Sequence, residues 1–196
     1  MAIKGYNFAP SMFLLELSIQ CSLAELAFNH LKVAANGWLE GVSPEQFENA
    51  TSPLEIVSWC TSLLSAAAVI GRMLFPGKRK SPIPERCRRL RQLLEIDQLP
   101  TLSNFAVRNS FEHVDERLDL HLRNFTQGSW DPISVTEKPP SSTLLLKRFD
   151  PKRLAISFVH HEIELAPCIA EITEVKSRID GAFKKLQGSP VTLWET

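Results

Sequence analysis

The chain lacks paired cysteines, a surplus of charge of either sign, and an uncharged run long enough to cross a membrane. Its four cysteines, Cys21, Cys60, Cys87 and Cys168, lie far apart with no C-x-x-C pair. This spacing argues against a structural zinc site and against the disulfide framework of a small secreted domain. We therefore expect reduced thiols, most of them in the core, with no bound metal and no cofactor.

The charge balance excludes a general binder of polyanions. Lysine plus arginine and aspartate plus glutamate number 22 each, so the formal net charge is zero and any affinity for nucleic acid must come from a local patch. The longest uncharged stretch, residues 56–71, is shorter than the roughly 20 apolar residues of a membrane span. Glu16 interrupts the apolar run near the N-terminus, so this run does not resemble the apolar region of a secretory signal. We expect a cytoplasmic protein with no membrane partner.

Hydrophobic periodicity predicts two helices in the first part of the chain. Residues 11–35 carry apolar side chains at helical spacing. These side chains are Leu15, Ile19, Leu23, Leu26 and Leu31. The Asn36-Gly37 pair predicts the end of this helix, and a turn-rich connector follows over residues 40–52. Capping hydroxyls before Pro53 then predict a second helix that ends near Phe75.

Three further helices are expected. A short third helix covers residues 84–96, and a fourth covers residues 102–125 after the break at Leu99-Pro100. The last helix covers residues 164–186. The third helix directs Leu90, Leu93 and Leu94 inward. The last helix has a buried stripe at Ile169, Ile172, Val175, Ile179, Phe183 and Leu186.

A β signal lies between the fourth and the last helix. After an irregular connector over residues 126–142, two β-prone runs at 143–148 and 154–159 flank an Asp-Pro turn, which predicts a two-stranded hairpin. A lone hairpin is marginal in water, so it must pack on helices. We expect an all-α fold in one domain over residues 1–196, a bundle of about five helices with an inserted or appended β-hairpin at about 143–159.

The fourth predicted helix carries the residues that are best suited to catalysis. Arg108, Asn109 and His113 fall within one R-N-x-x-x-H hexapeptide. An arginine fork can bind a phosphate, and histidine has the unperturbed pKa nearest neutrality, so the pair could stabilise a phosphorane and transfer protons. On a helical wheel, Asn109 and His113 lie nearly opposite an apolar stripe that faces the core. That stripe comprises Val107, Phe111, Val114, Leu118 and Leu122.

Ordinary helix chemistry can also account for the hexapeptide. Arg108 and Glu112 are four residues apart, the spacing of a surface ion pair worth a few tenths of a kcal/mol. His113 and Arg117 have the same spacing and can belong to a solvated helix surface. Arg108 also lies ~140° from His113 on an ideal helix, so its side chain must bend round to join the histidine, or two copies must share the work.

A second charged feature lies in residues 72–91, where eight basic residues and one acid give a net charge of +7. Such a segment fits a surface that follows a phosphate backbone. The residues we expect to contact RNA are Lys78, Arg79, Lys80, Arg86, Arg88 and Arg89. A solvated loop and an outer helix face account for the same pattern equally well.

The hexapeptide in its helical setting resembles the HEPN superfamily, helical bundles whose ribonuclease members carry an R-x4-6-H motif with a polar residue often directly after the arginine. The resemblance covers roughly residues 10–125. It implies a homodimer through the motif-bearing helix that cleaves RNA without a metal. His113 would act as acid or base, Arg108 would stabilise the phosphorane, and Asn109 would orient the phosphate or the histidine. It also implies a toxin or phage-defence effector, with an antitoxin protein as a possible partner.

Two other interpretations remain open at this point. In the first, the chain is a non-catalytic HEPN-like module that dimerises or binds a partner protein or nucleotide, and Arg108 and His113 form a structural network. In the second, the chain is an unrelated helical scaffold in which the hexapeptide is a coincidence.

Overall fold

The computed structural model describes residues 8–40, 52–77, 82–104, 119, 123, 129–138, 143–158 and 161–188. These residues form a mostly helical protein with a small β element, which confirms the coarse fold prediction. The helices are α1 (Phe8–Leu39), α2 (Pro53–Leu74), α3 (Ile83–Leu94), α4 (Pro100–Ser103) and α5 (Leu165–Gly188). The strands are β1 (Ser129–Asp131), β2 (Ser134–Val135), β3 (Thr143–Leu145), β4 (Lys147–Asp150), β5 (Ala155–Phe158) and β6 (His161–Glu164).

Helix α1 is longer than its sequence pattern predicts. The Asn36-Gly37 pair predicts a stop, but the helix continues to Leu39. Trp38 packs against the hydrophobic core at this end of the helix. A glycine inside a helix costs only about 1 kcal/mol relative to alanine, and burial of part of an indole ring outweighs that cost.

Helix α2 begins where its capping residues predict. The Ser52 hydroxyl accepts a hydrogen bond from the Glu55 backbone N–H at 3.2 Å. The Glu55 carboxylate accepts one from the Ser52 backbone N–H at 2.8 Å. This reciprocal capping box, with Pro53 as the first helical residue, satisfies backbone donors that the helix itself leaves free.

Helices α1, α2 and α5 enclose one hydrophobic core. Helix α1 packs most extensively against α2 and next against α5. The predicted stripe of α5 is confirmed, because four of its members are at most 4% exposed and the other two pack partly buried against the core. The four buried members are Ile172, Val175, Ile179 and Leu186. An ion pair between Lys176 and Glu25 also links α5 to α1.

Helix α3 packs on α2 and α5 through the three leucines that its sequence pattern directs inward, Leu90, Leu93 and Leu94. Its end is marked by Glu95, which has a left-handed backbone with φ 56°. The guanidinium of Arg91 donates to the Leu74 carbonyl at 2.7 Å, so α3 supplies a donor to a carbonyl that the C-terminal end of α2 leaves without a helical partner.

The β element is larger than the expected hairpin, and its first strand is displaced. Strands β4 and β5 form the antiparallel hairpin, β6 extends it on one side, and β2 pairs in parallel with β4 on the other. Residues 143–145, expected in the hairpin, instead form β3 and pair in parallel with β1.

The hairpin turn explains this displacement. The buried Asp150 accepts hydrogen bonds from the backbone N–H groups of Lys152 and Arg153 at 3.0 and 3.1 Å. The carboxylate therefore ends β4 at residue 150, and the turn over residues 151–154 starts later than the Asp-Pro pair alone indicates. Phe149, Ile156 and Phe158 join the main core, so the hairpin packs on the helices as expected.

The prediction of a fourth helix that runs unbroken from residue 102 is wrong at Asn104, whose extended backbone, with φ -74° and ψ 122°, ends the helix after Ser103. The structure places a short helix, α4, at Pro100–Ser103, with Leu102 buried. The predicted continuation to residue 125 lies outside the described residues, apart from Asp119 and Arg123.

Helices α1 and α2 are each long and apolar enough to span a membrane by length and composition alone. A buried core helix passes the same test, and half of the most apolar window of α2 is buried inside the protein. The corresponding share in α1 is 28%, because an apolar face of α1 points outward. The cytoplasmic location stays a sequence-based prediction.

The contact between α2 and α4 allows a direct test of the packing. A Cβ added at Gly71 would lie 2.5 Å from the Leu102 carbonyl oxygen. We expect Gly71→Ala to lower the free energy of unfolding by about 1–3 kcal/mol, because α4 must move to admit the methyl group. Urea denaturation followed by circular dichroism measures the change.

Gly181→Ala is the matched control, since nothing lies within 4 Å of a Cβ at this exposed position of α5. We expect it to raise stability by up to about 1 kcal/mol through helix propensity. Equal effects of the two substitutions would contradict the close approach of α4 to α2.

Candidate functional site

The predicted catalytic residues lie outside the described residues. This holds for Arg108, Asn109 and His113, and also for residues 78–80 of the basic segment. The structure describes the two elements that flank these positions in the chain, α3 and α4. It also places Arg86, Arg88 and Arg89, the remaining residues expected to contact RNA, on α3.

Helix α4, which directly precedes the hexapeptide segment, is fixed to the bundle by a carboxylate from α5. Glu171 accepts hydrogen bonds from the backbone N–H groups of Thr101 and Leu102, both at 2.8 Å. Leu99 at the N-cap position supplies no side-chain acceptor. Glu171 therefore takes the role of a capping residue from a distant part of the chain. As a result, α4, the last described helix before the hexapeptide in the chain, has a defined place between α2 and α5.

Two of the α3 arginines share one carboxylate. The Arg88 guanidinium binds Glu85 at 2.5 and 2.9 Å, and Arg89 Nε binds it at 2.5 Å. The hydrogen bonds from Arg88, and then from Arg89, lower the pKa of Glu85 from 4.5 to about 2. Because one acid faces two bases, the group keeps a positive charge at neutral pH.

Arg86 lies on a different side of α3 and contacts α1. Its guanidinium sits over the Phe13 ring, 4.8 Å from the centroid. Its Nε is buried and has no hydrogen-bond partner. This cation–π contact joins α3 to α1, so Arg86 has a packing role that the charge pattern alone does not indicate.

A polar groove of about 430 Å³ lies at the C-terminal end of α3. It is lined by Arg88, Arg91, Gln92, Glu95, Ile96 and Asp97. Lys185 and Arg178 from α5 bind the Glu95 carboxylate at 2.6 and 3.7 Å. The two acids and two bases of the lining balance, so the groove does not favour a polyanion as the whole basic segment does.

The cysteines are core residues, as the sequence predicts. All four thiols are free and buried. Burial raises the pKa of Cys21 and of Cys168 to about 12, and it also raises the pKa of Cys60. Since the thiolate is the nucleophile, these groups are unreactive at neutral pH. Within the described ranges, no group of three or more histidine, cysteine or acidic side chains could hold a metal ion.

Helix α1 has an exposed apolar face that the sequence patterns did not single out, and we call it the open face. Its six side chains are between 44% and 72% exposed. They are Met12, Leu15, Ile19, Leu23, Leu26 and Val33. Four of the five apolar residues that predict the first helix belong to this face, and only Leu31 lies in the core. A wheel drawn for this helix would have shown two apolar faces instead of one.

Comparison with known proteins identifies no family for this chain. No family model, no curated protein and no solved structure matches it. The HEPN-like interpretation therefore depends on the hexapeptide and its helical setting.

The shared carboxylate of α3 gives a test by pH. Because folding lowers the pKa of Glu85, the stability from this group is present above its ordinary pKa of 4.5 and is lost as the pH falls through about 2. We expect the Glu85 side-chain carboxyl to titrate near pH 2 in the folded protein, as followed by ¹³C NMR.

The control is the double variant Arg88→Ala/Arg89→Ala, in which the titration midpoint should return toward 4.5. A midpoint near 4.5 in the unmodified protein would show that the two arginines do not hold this carboxylate.

Proposed function

We propose that the protein is a metal-independent endoribonuclease of the HEPN type, with Arg108, Asn109 and His113 as its catalytic residues. The observation that carries this proposal is the R-N-x-x-x-H hexapeptide, whose Asn109 and His113 lie opposite the apolar stripe of a predicted helix. A titratable and an amide side chain on the outer face of a core helix are available to a substrate.

The reaction is an internal transesterification of RNA. The ribose 2′-oxygen attacks the adjacent phosphorus, its bond to phosphorus forms, and the bond from phosphorus to the 5′-oxygen breaks. His113 accepts the 2′-hydroxyl proton while water supplies the proton to the leaving 5′-oxygen, or His113 donates that proton while water accepts the one from the 2′-hydroxyl. Arg108 stabilises the charge of the phosphorane. Asn109 orients the phosphate or the histidine. The products are a 2′,3′-cyclic phosphate and a 5′-hydroxyl end.

Two features near the hexapeptide in the chain support a substrate of this kind. Glu171 and the contact at Gly71 hold α4, the last described helix before the hexapeptide, in a defined position. The net positive charge of residues 72–91 supplies a phosphate-binding patch in a chain that is neutral as a whole. We propose single-stranded RNA as the substrate class, since the 2′-hydroxyl must be free to align with its phosphate.

The biological role follows from the family resemblance. We propose a toxin or phage-defence effector that acts in the cytoplasm and that an antitoxin protein can restrain. A non-catalytic association module is the second candidate, and the open face of α1 is the observation that favours it.

The decisive experiment is the degradation of a labelled RNA by the purified protein in the presence of a chelator. We expect His113→Ala and Arg108→Ala each to reduce the cleavage rate by about 100-fold or more, since general acid–base catalysis by the histidine and charge stabilisation by the arginine each contribute at least about that factor. The products should carry 2′,3′-cyclic phosphate ends.

Arg123→Ala, which removes an exposed basic residue further along the same predicted helix, is the matched control and should leave the rate within about threefold, since an exposed charge contributes little. Cleavage that persists in both catalytic variants would disprove the assigned residues. A complete lack of cleavage in the unmodified protein, on a range of RNAs, would favour the association module.

A further inference from the structure

Helix α1 is apolar on two opposite faces, and the described bundle covers only one of them. Its buried face includes Leu14, Leu17, Cys21, Ala24 and Leu31, which are all fully buried. The open face lies about 170° away around the helix and occupies an arc of about 80°. It runs from Met12 to Val33, a length of about 30 Å.

We propose that the open face of α1 binds the open face of a second copy of the chain, with the two helices antiparallel. Met12, Ile19, Leu26 and Val33 repeat at every seventh residue, which is the spacing of a helix that packs along another helix. The positions are symmetric about a point between Ser22 and Leu23. A two-fold axis at that point sets Met12 against Val33 and Ile19 against Leu26, so these four of the six positions are complementary to one another.

The acid beside the open face favours the antiparallel orientation. Glu16 is exposed at the edge of this face in the first half of α1, and the other acid of α1, Glu25, pairs with Lys176 of α5. Antiparallel helices keep the Glu16 side chains of the two copies apart. Parallel helices would place Glu16 beside Glu16, which is unfavourable.

The size of the face suits a reversible homodimer. Two helical faces of about 30 by 10 Å bury on the order of 1,000 Å² of accessible surface between them. This area is at the lower limit for a specific interface. We therefore expect a dimer that forms in the micromolar range and dissociates on dilution.

A lipid surface fits the open face less well than a second copy does. Helices that lie on membranes carry many lysines and arginines on a solvated polar face. Lys32 is the sole lysine or arginine of α1, and the face of α1 opposite the open face is buried against α2 and α5.

This dimer does not depend on the proposed nuclease activity, because its interface lies on α1 and not on the motif-bearing helix. Sedimentation velocity of the full chain, over concentrations up to about 100 µM, measures the dimer directly. We expect Leu26→Glu to raise the dissociation constant by at least about tenfold, because a charge would be buried at the centre of the interface. Circular dichroism checks that this variant at an exposed position folds.

Leu54→Glu is the matched control, since Leu54 is 67% exposed at the start of α2 and lies outside the open face. It should leave the dissociation constant unchanged. A chain that is monomeric at every concentration, whether or not it binds anionic vesicles, would overturn the proposal. A dimer that Leu26→Glu does not weaken would overturn it too and would place the interface elsewhere, such as on the motif-bearing helix.

Disulfide cross-linking tests the orientation without a disruptive charge. A mixture of Met12→Cys and Val33→Cys proteins should form the mixed disulfide, because the native cysteines are buried and the antiparallel dimer sets these two positions together. Met12→Cys alone should not cross-link, since its two copies would be about 30 Å apart. Cross-linking of Met12→Cys with itself would contradict the antiparallel arrangement. If the chain is a monomer and the Met12→Cys thiol does not react with thiol reagents, another segment of the same chain covers the open face. That result would overturn the dimer.

Discussion

The packing of α1 against α2 is the interaction on which the rest of the structure depends. It is the most extensive contact between any two described elements, and α5 adds to it mainly through α1. Alanines are buried in both helices, at positions 24, 27, 34 and 35 of α1 and at 66 and 67 of α2. Small side chains let two helices approach closely, and large buried side chains such as Leu17 and Leu63 fill the core beside them.

The smaller elements attach to this framework through α2 or α5. Helices α3 and α4 both contact α2 and α5, while β4 contacts α2 and β5 contacts α5. The same framework gives the candidate site its fixed points, since Glu171 and Gly71, the two residues that position α4, belong to α5 and α2. The chemistry proposed for the hexapeptide therefore depends on a scaffold that is set by helices distant in sequence.

Local signals in the sequence are enough to predict α2, α3 and α5. The Ser52 capping box, the inward leucines of α3 and the apolar stripe of α5 each depend on residues within a few turns of one another. The end of α1 depends on distant packing, because Trp38 packs on the core, and local rules do not detect it. The displacement of β4 has a local cause, since the Asp150 carboxylate binds the backbone of Lys152 and Arg153 and the turn therefore starts later than the Asp-Pro pair indicates.

The two apolar faces of α1 show something that hydrophobic periodicity cannot predict. Helical spacing predicts the helix correctly, but it does not say which of two apolar stripes meets the core. Alanine and cysteine occupy much of the buried face, whereas leucine, isoleucine and methionine occupy the open face. Hydrophobicity alone therefore points to the wrong side. The count of charges in residues 72–91 could not show that Glu85 and Phe13 contact the α3 arginines, which are among the residues predicted to contact RNA.

Native-state hydrogen exchange, measured for individual amides, tests most directly whether the fold depends on the contact between α1 and α2. The packing predicts that the slowest amides of α1, α2 and α5 share one opening free energy, equal to the free energy of global unfolding measured with urea. The amides of β6 at the sheet edge should open at a lower free energy. Exchange of α1 well before α5 would contradict the central place of the α1–α2 contact.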